Sequence, residues 1–259
     1  MNRRLQEVKN SLGKTFDAIL VSSIPNIIYL TNFNGFSDKE REAYLLLTKN
    51  AHYVFTDGRY AEVASKIKGF KLVRTSPNRN FGQALKGIVG KEKIKKLEID
   101  ERDIKVSETL QIKKVVKTCP DKNLIEKLRA TKDTTEIKNI QAACRLGDQV
   151  FEYILSEIKL GITEKEIANK IEIFILQKGT QISFKPVVAF AANSSSPHHV
   201  AGNTKLKKNN IVLLDFGVKL NNYCSDMTRV VFFKKATDKQ KKIYQTVLEA
   251  QLKAVEFIK

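Results

Sequence analysis

Residues 211–233 read IVLLDFGVKLNNYCSDMTRVVFF. Two runs rich in β-branched and aromatic residues flank the polar tetrad Lys219-Leu220-Asn221-Asn222, which is the pattern of two strands joined by a turn. A hairpin symmetric about Leu220-Asn221 sets Asp215 directly opposite Asp226. Opposed side chains lie about 4.5–5.5 Å apart at Cβ, and like charges there repel. Two carboxylates that close in an apolar sheet need a proton or a cation between them. A divalent metal site meets that need, so Asp215 and Asp226 are the candidate metal ligands.

Long helices precede the hairpin. Thr134–Lys159 carries apolar residues at Ile137, Ile140, Ala143, Cys144, Leu146, Val150, Ile154 and Ile158, a helical period. Gly161-Ile162-Thr163 ends it. Thr163 and Glu166 form a capping box that opens a second helix to about Gln177, before Gly179. Strands follow at Gln181–Ala191, Ile211–Val218 and Tyr223–Phe233. A last helix starts near Asp238 and is still amphipathic at Lys259.

The first 120 residues alternate strands and helices. Strands are expected at Ala18–Ser22, Ala43–Thr48, Tyr53–Thr56, Phe70–Arg74 and Lys96–Ile99, and helices at Tyr60–Lys68 and Phe81–Val89. This is a mixed α/β pattern with some parallel pairing. Pro120-Asp121-Lys122-Asn123 is the linker candidate, which divides the chain into domains 1–122 and 123–259.

Composition bounds the function. The chain has 259 residues, 42% of them apolar, enough for real cores. No run of about 18 apolar residues exists, and the start lacks the apolar stretch of a signal peptide. Cys119, Cys144 and Cys224 are widely spaced and none sits in a CxxC pair, which points to a reducing, cytoplasmic setting. The net charge is +18, but only ten of the 46 basic residues are arginine. Phosphate and base readers are richer in arginine and aromatic platforms. The lysines therefore read as solvated surface, and neither nucleic acid nor a membrane is an expected partner.

Pro197-His198-His199 follows a polar turn, Asn193-Ser194-Ser195-Ser196. In an extended segment adjacent side chains point to opposite faces, so at most one of these histidines shares a cavity with the aspartates. A neutral imidazole there can donate a hydrogen bond or carry a proton. Each residue has a plainer reading by itself: a surface histidine, Asp215 capping a turn with Gly217, Asp226 paired with Arg229. The ordered combination is more specific.

Gly161-Ile162-Thr163-Glu164, Pro197-His198, Asp215-Phe216-Gly217 and Ser225-Asp226-Met227-Thr228-Arg229 together resemble the metallopeptidase family that contains methionine aminopeptidase, Xaa-Pro aminopeptidase and prolidase. The resemblance implies a pita-bread fold. Phe16–Leu20, Asn26–Phe33 and Thr56-Asp57-Gly58-Arg59-Tyr60 resemble the creatinase/prolidase amino-terminal domain, and Leu124–Lys132 resembles the domain junction. That amino-terminal domain points to the Xaa-Pro aminopeptidase and prolidase branch.

The resemblance implies two divalent ions, manganese, cobalt or zinc, held by two Asp, one His and two Glu. Asp215 matches the chelating Asp and Asp226 the bridging one. His198 matches the catalytic histidine, and His199 is expected to face away or to edge the pocket. Thr228 is expected to hydrogen-bond a ligand carboxylate. The implied substrates are peptides with proline in the second position, and the implied assembly is a homodimer.

Three features depart from the family pattern. No histidine follows His199, and Glu249 and Glu256 sit on the last helix. Only two of the five implied ligands are therefore in place. Phe190-Ala191 replaces a Ser-Gly pair and is expected to narrow the pocket. Asn209-Asn210 replaces a Gly-Asp pair. The expectation is a creatinase-type domain followed by the first half of a pita-bread domain, a truncated chain inactive by itself, with partial or no metal occupancy. The alternative is a non-catalytic homologue that binds peptide or nucleic acid.

Overall fold

The structure is a computed structural model that describes residues 3–258 apart from Lys14, Asp38, Lys39 and Lys122. Lys122 of the expected linker and Lys259 of the last helix thus lie outside the described residues. Two compact units meet between Lys132 and Asp133, beyond the expected boundary at residue 122. The reason is apolar: Ile125 is buried in the first unit's core, and Leu124 and Leu128 pack against it.

The first unit runs α1 (Arg3–Ser11), β1 (Ala18–Val21), α2 (Ile24–Thr31), β2 (Ala43–Thr48), β3 (His52–Thr56), α3 (Ala61–Ser65), β4 (Lys71–Arg74), α4 (Phe81–Glu92), β5 (Lys96–Ile99), α5 (Val106–Lys113), β6 (Lys117–Pro120) and α6 (Leu124–Ala130). Its six strands form one sheet in the order β4-β3-β2-β1-β5-β6. The β1–β2 and β2–β3 pairs are antiparallel, and the β3–β4, β1–β5 and β5–β6 pairs are parallel. Helices cover both faces, so the central strands are buried throughout. Alternation divides the core: Ile19 and Val21 join one cluster, and Ala18 and Leu20 join the other.

The second unit runs α7 (Thr134–Glu157), α8 (Glu164–Gln177), β7 (Gln181–Ile182), β8 (Val187–Phe190), β9 (Ile211–Phe216), β10 (Val218–Leu220), β11 (Tyr223–Cys224), β12 (Met227–Phe232) and α9 (Asp238–Ile258). The capping box at Thr163 forms as read: the Glu166 N–H donates to Thr163 Oγ1 at 3.2 Å, and the Thr163 N–H donates to Glu166 at 2.8 Å. The strand expected over 181–191 is two short strands in different sheets, β12-β9-β8 and β11-β10-β7. Pro186 lies between them and has no N–H for a ladder.

The hairpin register also differs from expectation. Asp215 pairs with Thr228, and Leu220 with Tyr223. The turn is therefore Asn221-Asn222, both with positive φ (51° and 68°), as a two-residue type I′ loop requires and asparagine tolerates. Gly217 sits where this ribbon is tightest. A Cβ there would lie 2.0 Å from the Ser225 carbonyl oxygen and 2.1 Å from Ser183 Oγ. Among the described residues, no helix is long and apolar enough to cross a membrane.

Two substitutions test this backbone. Gly217→Ala must push the Ser225 strand away and is expected to cost about 1–3 kcal/mol or more, read as a lowered denaturation midpoint. Ala191 holds φ 49°, a left-handed conformation that costs an L-residue about 1 kcal/mol. Ala191→Gly is expected to raise the melting temperature by about 2–4 °C. An unchanged or lower value contradicts the strain.

Candidate metal centre

The site is built on alternation in β9. Val212, Leu214 and Phe216 are buried in the second unit's core, which leaves Asp215 on the opposite face. Asp215 is on the central strand, between Val187 of β8 and Thr228 of β12. The Thr228 hydroxyl donates to Asp215 Oδ1 at 3.1 Å.

Asp226 stands just before β12, near enough to Asp215 for its charge to act on that carboxyl. The directly opposed pairing of Asp215 with Asp226 expected from a symmetric hairpin does not form, because Asp215 faces Thr228. Partial burial lifts the Asp215 carboxyl above its ordinary pKa, the Asp226 charge adds to the lift, and the Thr228 hydrogen bond opposes it. No described ion pair joins Asp226 to Arg229, whose guanidinium instead donates to the Thr228 carbonyl at 2.9 Å.

The histidines sit differently from expectation. Residues 196–199 form a turn, closed by the His199 N–H donating to the Ser196 carbonyl at 3.2 Å, so strict alternation does not apply. His198 is exposed. His199 turns inward, and its Nε2 lies 2.9 Å from Glu164 Oε2. Glu164 is wholly buried. Phe190 also does not line a pocket as expected: it is 1% exposed within the apolar core. Asn209, in the position noted against a family glycine, takes φ 62°, a conformation asparagine tolerates better than most residues.

Sequence reasoning missed the Glu164 cluster, although Glu164 lies within the quoted motif. A buried acid at the start of a helix was the available signal. It also missed a carboxylate group in the first unit, where one oxygen each from Asp100, Asp121 and Glu126 lies within 4.8 Å of the others. A cation is already there: Arg102 approaches the three at 2.8, 3.2 and 3.8 Å.

Comparison with known proteins bears on the whole chain. Residues 138–259 match Metallopeptidase family M24, and residues 4–131 match the Creatinase/Prolidase N-terminal domain. A Bacillus subtilis protein, Uncharacterized peptidase YqhT, is 31% identical over 99% of this chain and 72% of its own length. The chain belongs to metallopeptidase family M24. A solved structure of an Xaa-Pro dipeptidase from Bacillus anthracis superposes with TM-score 0.87 at 32% identity, covering 96% of this chain and 70% of that one. An X-Pro aminopeptidase from Thermotoga maritima gives TM-score 0.81 at 28% identity, covering 96% and 71%. The mixed α/β architecture expected from the sequence, with an amino-terminal creatinase-type domain, is thereby established. Family membership implies divalent metal cofactors. The hard carboxylate oxygens of Asp215 and Asp226 suit such ions. The residues fit two ligand positions.

Removing one charge should release the other. In the metal-free protein, Asp226→Asn is expected to lower the Asp215 pKa toward the ordinary carboxylate range, followed by carboxyl NMR titration. The sign for stability follows. The folded state holds the Asp215 proton more tightly than the unfolded chain. This group's contribution therefore improves as pH falls through the raised pKa and worsens as pH rises. An Asp215 pKa unmoved by Asp226→Asn contradicts the charge interaction.

Proposed function

We propose that this chain acts as a metal-dependent peptidase on peptides with proline in the second position. The observation that supports the reading is Asp215 on the exposed side of β9, held by the Thr228 hydroxyl, with the Asp226 charge acting on it. The solved relatives named for Xaa-Pro substrates support the substrate class.

In this reading Asp215 and Asp226 are metal ligands, and Thr228 fixes the Asp215 carboxylate by holding one of its oxygens. His198, exposed on its turn, is the histidine available to a substrate, to donate a hydrogen bond or carry a proton. Bound divalent ions, manganese, cobalt or zinc, supply Lewis acidity toward the scissile carbonyl and acidify water. Two carboxylates supply fewer donors than such ions require. Binding by these residues is therefore weak, and further donors complete the site before hydrolysis. A homodimer and a cytoplasmic setting belong to the same proposal, and three free cysteines fit a reducing compartment. The lysine-dominated charge gives no support to nucleic-acid binding.

Calorimetric titration with manganese, cobalt and zinc is the test, paired with release of the residue before proline from an Xaa-Pro dipeptide and a longer peptide. Weak metal uptake that disappears in Asp226→Asn is expected, and any hydrolysis should depend on added metal. Metal affinity indifferent to Asp226→Asn overturns the ligand assignment. Tight, salt-resistant RNA binding with no metal uptake overturns the peptidase reading.

A further inference from the structure

Glu164 is a carboxylate with no solvent exposure, and burial of a lone ionised group is costly. It is not alone. Oε1 accepts from the Phe190 N–H and from Asn193 Nδ2, both at 2.8 Å. Oε2 faces His199 Nε2 at 2.9 Å and accepts from the Gly202 N–H at 3.2 Å. Burial acts to raise its pKa, but these donors together hold the carboxyl below its ordinary range. Its place in the first turn of α8 adds the favourable end of the helix dipole.

Every one of those partners belongs to residues 190–202, the segment that carries His198. The segment's continuation is strapped to the same helix start. The Lys165 N–H donates to the Gly202 carbonyl at 3.0 Å, the Glu164 N–H to Thr204 at 3.2 Å, and the Leu206 N–H to Ile162 at 2.8 Å. Asn193 Nδ2 also reaches Thr204 Oγ1 at 3.1 Å. An ionised carboxylate only accepts, so it selects the His199 tautomer with the proton on Nε2. That bond fixes the residue next to His198 from below, while His198 faces outward.

We propose that Glu164, acting through His199, is the positioning residue that holds the Ser196–His199 turn so that His198 is presented to substrate. The inference rests on the peptidase reading for its purpose, but its geometry stands by itself. Glu164 is not a catalytic residue: it is sealed from solvent and works through the loop. It explains why a glutamate inside the Gly161-Ile162-Thr163-Glu164 motif is buried when its neighbour Glu166 serves as the cap.

The test uses Glu164→Gln, close in size but uncharged. Amide exchange at Phe190 and Gly202 is expected to accelerate roughly tenfold or more, while amides in β9 and the interior of α8 keep their protection. Nitrogen NMR should show His199 losing its preference for the Nε2–H tautomer. Should Glu164→Gln fail to fold, His199→Leu and His199→Gln replace it. The leucine variant should loosen the same amides. The glutamine variant, whose amide can donate in place of Nε2, should restore them. In metal-supplemented hydrolysis, kcat is expected to fall roughly tenfold or more with KM little changed. Unaltered loop exchange and an unaltered His199 tautomer in the variants overturn the inference. If the wild type takes up no metal and hydrolyses no Xaa-Pro peptide, the peptidase reading falls, and the exchange and tautomer measurements still decide this one.

Discussion

The second unit depends on how closely two backbones approach at Gly217. The Ser225 N–H donates to the Val218 carbonyl at 2.8 Å, and the Val218 N–H donates to Ser225 Oγ at 3.0 Å. Ser183 Oγ closes the arrangement by donating to the Ser225 carbonyl at 2.9 Å. No side chain fits between these groups, so only glycine can occupy position 217. This contact, with the Asn221-Asn222 turn beyond it, sets the pairing of β9 with β12. Pairing in turn decides which side chains share a face, because a slip of one residue reverses every side chain.

The acidic residues of the chain are neutralised to different degrees, and the differences sort them by role. Glu164 meets four donors and is spent on holding a loop. Asp100, Asp121 and Glu126 surround a guanidinium. Asp215 has one hydroxyl donor and a negative neighbour, so its charge is opposed where the others are satisfied. The apolar half of the same strand, Val212, Leu214 and Phe216, anchors Asp215 in the central strand.

Much of this was legible in the sequence. Helical periodicity placed α7, and the capping box placed the start of α8. Ordered motifs from Gly161 to Arg229 identified the family. The misreadings have physical causes. A hairpin centred on Leu220-Asn221 is one residue early, because the positive-φ preference of two adjacent asparagines marks Asn221-Asn222 as the turn. Alternation along an extended chain does not apply to the histidine pair, because Pro197 sits in a turn that directs His199 inward. Leu124, Ile125 and Leu128 pack into the first unit, and the division of the two units falls at the end of the Leu124–Lys132 stretch.

The sequence by itself determined the residue types and their order: two aspartates, a histidine pair, a threonine and a buried-acid motif in the pattern of an M24 metallopeptidase behind a creatinase-type domain. Chemistry that depends on identity, such as hard oxygen donors or a proton-carrying imidazole, could be read there. Only the tertiary structure decided that Asp215 meets Thr228 and not Asp226, and that His199 answers to Glu164. Alternation along a strand assigns faces only after the register is known. The register is set by a backbone approach at Gly217 that no local pattern records.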